Sequence, residues 1–122
     1  MYHLELTGLD SLVNADPALV HRGRWVDLTF ILGVGDIDYL ITIQQGKIIK
    51  ISQRRLQTTP GCFSIRAEAS SWRKHWQKIP QRDYHDIFAM LAKGLIKIDG
   101  DLLPLMQNLQ YFKDLISKNR ES

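Results

Sequence analysis

The spacing of apolar positions changes period several times along the chain, and each change marks an element. In WVDLTFILG, Val26, Leu28, Phe30 and Leu32 fall on one side and Asp27 and Thr29 on the other. An alternation of two is the mark of a half-buried strand. VGDIDY reads as a turn. In YLITIQQGKIIKIS, Tyr39, Ile41 and Ile43 alternate with Leu40, Thr42 and Gln44, Gln45-Gly46 reverses the chain, and Ile49 and Ile51 continue a third strand. Three strands joined by short turns predict an antiparallel meander. Residues 53–61 read as a loop closing on Pro60-Gly61. FSIRAEA is a fourth strand with Phe63, Ile65 and Ala67 inward, and LIKID a fifth with Ile96 and Ile98 inward and Lys97 outward.

Between the strands the period becomes helical. Asp16-Pro17 is an N-cap followed by proline at the first helical position, and predicts a short helix over Pro17–His21 that ends at Gly23. Ser70 or Ser71 is expected to cap a helix carrying Trp72 and Trp76 one turn apart, with Pro80 ending it. Asp83 is expected to cap the next helix, through Tyr84, Ile87, Phe88 and Leu91, with Gly94 as its C-terminal glycine. Asp101 then caps a last helix with Pro104 in its first turn. Leu102, Leu105, Met106, Leu109, Phe112 and Ile116 form its broad apolar stripe. Residues 1–15 are mixed and carry no period that places them. The predicted class is α+β, with a five-stranded, mainly antiparallel sheet and the helices packed on one face.

At 122 residues the chain is expected to form a single domain over 1–122, and its 44% hydrophobic content can build a core without metal or disulfide staples. The net charge of +3 is mild and its Lys and Arg are scattered, with local pairs only at Arg54-Arg55 and Arg73-Lys74. Nucleic-acid surfaces cluster positive charge on one face, so no nucleic-acid partner is expected. The one cysteine, Cys62, cannot form an internal disulfide. The start, MYHLELTGLDSL, is unlike a signal peptide, and no run approaches the ~18 apolar residues of a membrane span. Together these predict a cytoplasmic protein.

No catalytic constellation stands out in the sequence. Asp83, His85 and Asp86 are close in DYHDIF, but on a helix His85 and Asp86 point about 100° apart, and neither a second His at i+4 nor a Cys pair completes a metal site. Gly33–Asp36 joins two strands instead of opening a helix, so it is not a dinucleotide loop. IDGD at 98–101 lacks the spacing and closing Glu of a calcium loop. His3, His21 and His75 are isolated and expected to be exposed. The expectation is a protein that is not an enzyme, with no catalytic residues, metal or cofactor.

Two stretches carry a family likeness. FSIRAEASSWRKHW followed by FAMLAKGLIKIDGDLLPLMQNLQYF resembles the sterol-binding domain of the sterol carrier protein 2 family, through Phe88, Gly94, Ile96, Lys97, Ile98, Gly100 and Asp101. VDLTFILGVGDIDYLITIQQGKI resembles that family's hairpin, with Gly46 and Lys47 at the turn. The likeness covers about residues 20–116 and is nearest to small stand-alone bacterial members. It departs at the NRES terminus, which is not a peroxisomal tripeptide, and at 53–61 and 77–85.

The resemblance implies a tunnel between the sheet and the helices. It implies non-enzymatic carriage or presentation of a lipid, fatty acyl chain or isoprenoid. Phe30, Tyr39, Ile41 and Phe63 would form the floor, Trp72, Trp76, Phe88 and Leu91 the roof, and Leu105, Met106, Leu109 and Phe112 an adjustable wall. Trp72 and Trp76 are expected at the mouth. Transient membrane contact is expected through Lys113, Lys118 and Arg120 on the last helix. The competing reading is a homodimerising or enzyme-docking module, an accessory subunit whose layer gap is filled by side chains.

Overall fold

β1 (Asp27–Val34) is the middle strand of the sheet, and everything else is arranged about it. The structure, a computed structural model, describes residues 6, 8–53 and 61–120. Chain order runs α1 (Leu9–Asn14), α2 (Pro17–Arg22), β1, β2 (Ile37–Gln44), β3 (Lys47–Gln53), β4 (Phe63–Ala67), α3 (Ala69–His75), α4 (Ile87–Ala92), β5 (Ile96–Gly100), α5 (Leu103–Gln107) and α6 (Leu109–Ser117). The five strands form one sheet in the order β3-β2-β1-β4-β5. Every pairing is antiparallel except β1 with β4, which is parallel. The expected loop over 53–61 lies almost wholly outside the described residues.

The hairpins follow from local chemistry. Gln45 and Gly46 both have positive φ, 51° and 81°, as a two-residue type I′ turn requires, and its twist matches that of the flanking strands. Glycine is needed at 46 for a second reason. A Cβ there would lie 2.4 Å from the Val20 carbonyl oxygen, because the turn packs directly on the end of α2. The first hairpin is tighter than expected: β1 runs to Val34 and β2 begins at Ile37, so only Gly35-Asp36 of VGDIDY turn.

Other expectations move by a few residues. Ile43 pairs with Ile48 and Thr42 with Lys50, so a bulge in β3 turns Ile49 out to solvent and puts Ile48 inward in its place. α3 starts as soon as β4 ends, with Glu68 at the N-cap, so Ser70 and Ser71 are inside the helix. α4 is capped by Asp86, whose carboxylate accepts from the Phe88 amide at 2.7 Å, whereas Asp83 sits in the preceding turn with φ 74°. α2 behaves as predicted: Asp16 accepts from the Leu19 amide and Gly23 ends it. Gly94 also acts as expected. Its amide donates to Leu91 and the next amide, Leu95, to Met90, the paired bonds of a Schellman ending.

The expected last helix is two helices. Asn108 breaks it: its side-chain amide donates to the Pro104 carbonyl at 3.0 Å and its backbone leaves helical geometry (φ −126°, ψ 35°). Asparagine competes for backbone acceptors in this way. The break resets the helical phase. The buried face of α6 is therefore Tyr111, Phe112, Leu115 and Ile116, while Leu102 and Met106 fall on the exposed side of the chain.

The helical side of the sheet carries Phe30, Leu32, Ile41, Ile43, Ile48, Phe63 and Ile65, all buried. α1 closes that layer. Leu6, Leu9 and Val13 are fully buried, at i, i+3 and i+7. Asn14 shields the outer edge of β3 by exchanging two 2.9 Å hydrogen bonds with the Ile48 backbone, as a neighbouring strand would. The other side of the sheet is mixed. Thr29 and Thr42 face each other there, and Arg66 grips Asp38 through Nε and Nη2, both at 3.2 Å. Ile31 and Leu40 are nevertheless buried on this side.

Candidate ligand site between sheet and helices

The expected floor and wall are in direct contact. The rings of Phe30 and Phe63 stack with centroids 5.2 Å apart and planes 17° apart. Phe112 from α6 meets both edge-on, at 5.5 and 5.2 Å, and Tyr111 meets Phe112 at 5.2 Å. Stacked and edge-to-face arrangements both suit the ring quadrupole. Ile41 and Leu105 are buried in the same cluster.

α3 brings the two indoles together, with Trp72 and Trp76 stacked at 5.0 Å. The sequence reading expected them at an opening, but they lie inside, 0% and 4% exposed. Each indole N–H has a buried acceptor. Trp72 donates to the Gly33 carbonyl at 2.7 Å and Trp76 to the Ile116 carbonyl at 2.8 Å. A buried N–H needs such a partner, and these two fasten α3 to the middle strand and to the end of α6.

Of the remaining expected lining residues, Tyr39 is buried in the core and the others are peripheral. Phe88 is half-buried beneath the Lys113 ammonium, 5.4 Å from its ring, and Leu109 is half-buried at the start of α6. Leu91, on α4, is 38% exposed, and Met106, on α5, is 54% exposed; its sequence neighbours Leu103 and the N-cap Leu102 are exposed as well. Tyr39 borders a surface cleft of about 260 Å³ with Leu6, Asp10, Ile51 and Ser52. The structure therefore divides the expected lining into a packed aromatic centre and an exposed apolar rim.

Sequence reasoning missed two buried polar residues. His75 was expected in solvent but is 1% exposed, between the indoles and the segment before α4. Its Nδ1 lies 2.7 Å from the Tyr84 carbonyl, and Nε2 has no hydrogen-bond partner among the described residues. Burial pushes its pKa down to about 4, with Arg120 adding to the shift and the Tyr84 bond opposing it. Tyr111 donates to the Gly46 carbonyl at 2.7 Å, and its ring fills the space that a Cβ on Gly23 would need. Burial raises its phenol above the usual range. The signal for His75 was its place beside Trp76 and one turn after Trp72 on the same short helix. Tyr111 was hidden by the unforeseen break at Asn108.

The cations of the last helix are already engaged. Lys113 pairs with Asp86 at 2.9 Å and Lys118 with Asp16 at 2.6 Å. Arg120 donates to the carbonyls of His75 and His85. Burial works against the Asp86 carboxylate, but Lys113 and the Phe88 amide outweigh it and its pKa falls. Of the membrane face expected at Lys113, Lys118 and Arg120, both lysines are thus ion-paired within the protein and the arginine is hydrogen-bonded to backbone carbonyls. In DYHDIF, Asp86 is a cap and an ion-pair partner and His85 is exposed. Among the described residues no group of three His, Cys, Asp or Glu could hold a metal ion, and no helix is long and apolar enough to cross a membrane.

Solved structures supply the wider comparison. A crystal structure of sterol carrier protein 2 superposes with a TM-score of 0.74 at 15% identity, covering 94% of this chain and 92% of that one. The fold is that of sterol carrier protein 2. UbiJ-SCP2, a ubiquinone synthesis protein, matches with TM-score 0.62 and 17% identity over 93% of this chain and 85% of its own. Sterol carrier protein domain 2 of Helicoverpa armigera matches with TM-score 0.63 and 14% identity over 96% and 88%. No protein-family model matches the sequence, and no curated protein does. Sterol carrier protein 2-like architecture is thus established over nearly the whole chain, at identities that carry fold alone.

Proposed function

We propose that this protein binds and carries, or presents, a hydrophobic small molecule such as a lipid, fatty acyl chain or isoprenoid, without catalysing a reaction. The observation that carries the reading is the exposed apolar edge formed by Leu102, Leu103 and Met106 at α5, in a fold shared with sterol carrier proteins. Soluble folds seldom leave such groups together without use. α5 is short, is separated from α6 by the Asn108 break, and is anchored inward chiefly by Leu105. Outward movement of α5 would open the layer gap to a ligand between Phe30, Phe63 and Phe112. Met106, with its flexible thioether, would adapt to different ligand shapes. Each methylene buried there contributes about 0.8 kcal/mol, so a long chain needs no polar anchor.

A second reading has its own observation. The aromatic cluster fills the layer gap, as it would in an accessory subunit that keeps the fold and docks through its apolar rim. The likeness to UbiJ-SCP2, named as a ubiquinone synthesis protein, supports that alternative.

Native mass spectrometry of the purified protein, followed by solvent extraction, separates the two. A stoichiometric lipid or isoprenoid supports carriage. A ligand-free protein that also ignores added fatty acids gives the accessory reading the lead. Leu109→Trp adds a structural arm. Under the carrier reading it blocks uptake with little change in melting. A loss of about 1–3 kcal/mol with uptake intact marks a solid core.

A further inference from the structure

We infer that the outer edge of β5 is a self-pairing surface, where two copies of this chain join antiparallel with Ile98 on the two-fold axis and Lys97 of each copy facing Asp99 of the other. The two edges of the sheet are built differently. β3 is bulged and sealed by Asn14, which occupies the Ile48 backbone as a strand would. β5 pairs with β4 without a register shift and contains no proline. The Gly35 amide donates to the Ala67 carbonyl, so Ala67 and Ile65 turn their backbone groups to β1, while Ser64 and Arg66 turn theirs to β5. Their partners Asp99 and Lys97 are thereby engaged, and the amides and carbonyls of Ile96 and Ile98 point away from the sheet. Among the described residues no hydrogen bond reaches those groups from another element. An open edge of this kind is a template for a further strand.

The side chains select which strand. Ile96 and Ile98 face the helices, whereas Lys97 and Asp99 stand on the opposite face, 78% and 54% exposed and 3.9 Å apart. With Ile98 opposite itself in an antiparallel copy, each Lys97 meets an Asp99, and the pair is formed twice. Shifted by two residues either way, Lys97 meets Lys97 or Asp99 meets Asp99. Unlike charges directly opposite one another stabilise a strand pair and like charges oppose it. One register is therefore favoured and its neighbours are rejected. The same register sets the two half-buried Ile98 side chains against each other on the helical face, which removes apolar surface from water. An edge lysine alone is a guard against pairing; followed at i+2 by an aspartate, it admits a copy of the same strand.

This assembly stands whether or not the layer gap takes a ligand, and it uses β5 instead of the α5 surface. Sedimentation velocity across a concentration series tests it. The expected result is a reversible monomer–dimer equilibrium that salt weakens. Lys97→Asp sets carboxylate against carboxylate and should weaken association about tenfold, and Asp99→Lys should do the same with ammonium groups. The two changes together restore complementarity and should return association to within about twofold of the starting protein. Lys50→Asp, on the sealed edge, should leave it unchanged. Lys97, Asp99 and Lys50 are all exposed, so the variants are expected to melt as the parent does. A monomer at every concentration overturns the inference and leaves the edge to a different chain. A dimer indifferent to both single reversals, or one that the double change fails to restore, overturns it too. A dimer lost with Met106→Ser and kept with Lys97→Asp belongs to the α5 surface and likewise overturns it.

Discussion

The aromatic centre and the α5 rim are equally apolar in composition and opposite in use. Phe30, Phe63 and Phe112 touch one another with no side exposed, and Trp72 and Trp76 stack with their polar atoms satisfied. Leu102, Leu103 and Met106 lie within five consecutive positions of chain and are 39%, 62% and 54% exposed. The first region cannot change shape without loss of packing, since protein interiors are as dense as organic crystals. The second makes few contacts that it would lose by moving. A fold that must admit a hydrophobic guest, or grip a partner, has its adaptable surface in the rim and its rigid reference in the centre.

The contrast is open to experiment. Phe112→Ala removes the ring that joins floor to wall and should cost about 3–5 kcal/mol, read by denaturant unfolding. A value below about 1 kcal/mol would mean that the centre is as adaptable as the rim.

Acid should loosen the centre next. His75 is buried in its neutral form, so the unfolded chain takes up a proton near pH 6.5 and the folded chain only near 4. Stability is therefore fully present above pH 6.5 and falls with pH by about 3 kcal/mol down to about 4. Denaturation midpoints across that range test this, and His75→Phe should flatten that part of the profile.

Trp72→Phe keeps most of the apolar volume but removes the buried indole bond to the Gly33 carbonyl. A loss of about 1–3 kcal/mol is expected, with calorimetry as the readout. Met106→Ser, in the rim, should change stability by no more than about 0.5 kcal/mol and yet weaken uptake of a fluorescent fatty acid. Unchanged uptake would detach the rim from ligand binding and strengthen its role as a partner surface.

The sequence by itself determined the α+β class and the strands, because a period of two with one buried face leaves little freedom. It determined the Gln45-Gly46 reversal and the Asp16-Pro17 helix start, where backbone geometry and capping chemistry are local. It also placed the aromatic residues in the apolar layer. The likeness in GLIKIDGD and in the hairpin pointed to the fold that the solved structures share. Only the tertiary structure decided the rest. The parallel pairing of β1 with β4, which sets the strand order, joins segments separated by the whole meander. The role of Leu6, Leu9 and Val13 depends on an edge strand for α1 to cover. The exposure of Met106 depends on a break that one asparagine makes by competing for a carbonyl. Trp25 outside, and Trp72, Trp76 and His75 inside, are the same kinds of residue in sequence. What separates them is whether the folded chain brings an acceptor and a packing partner within reach.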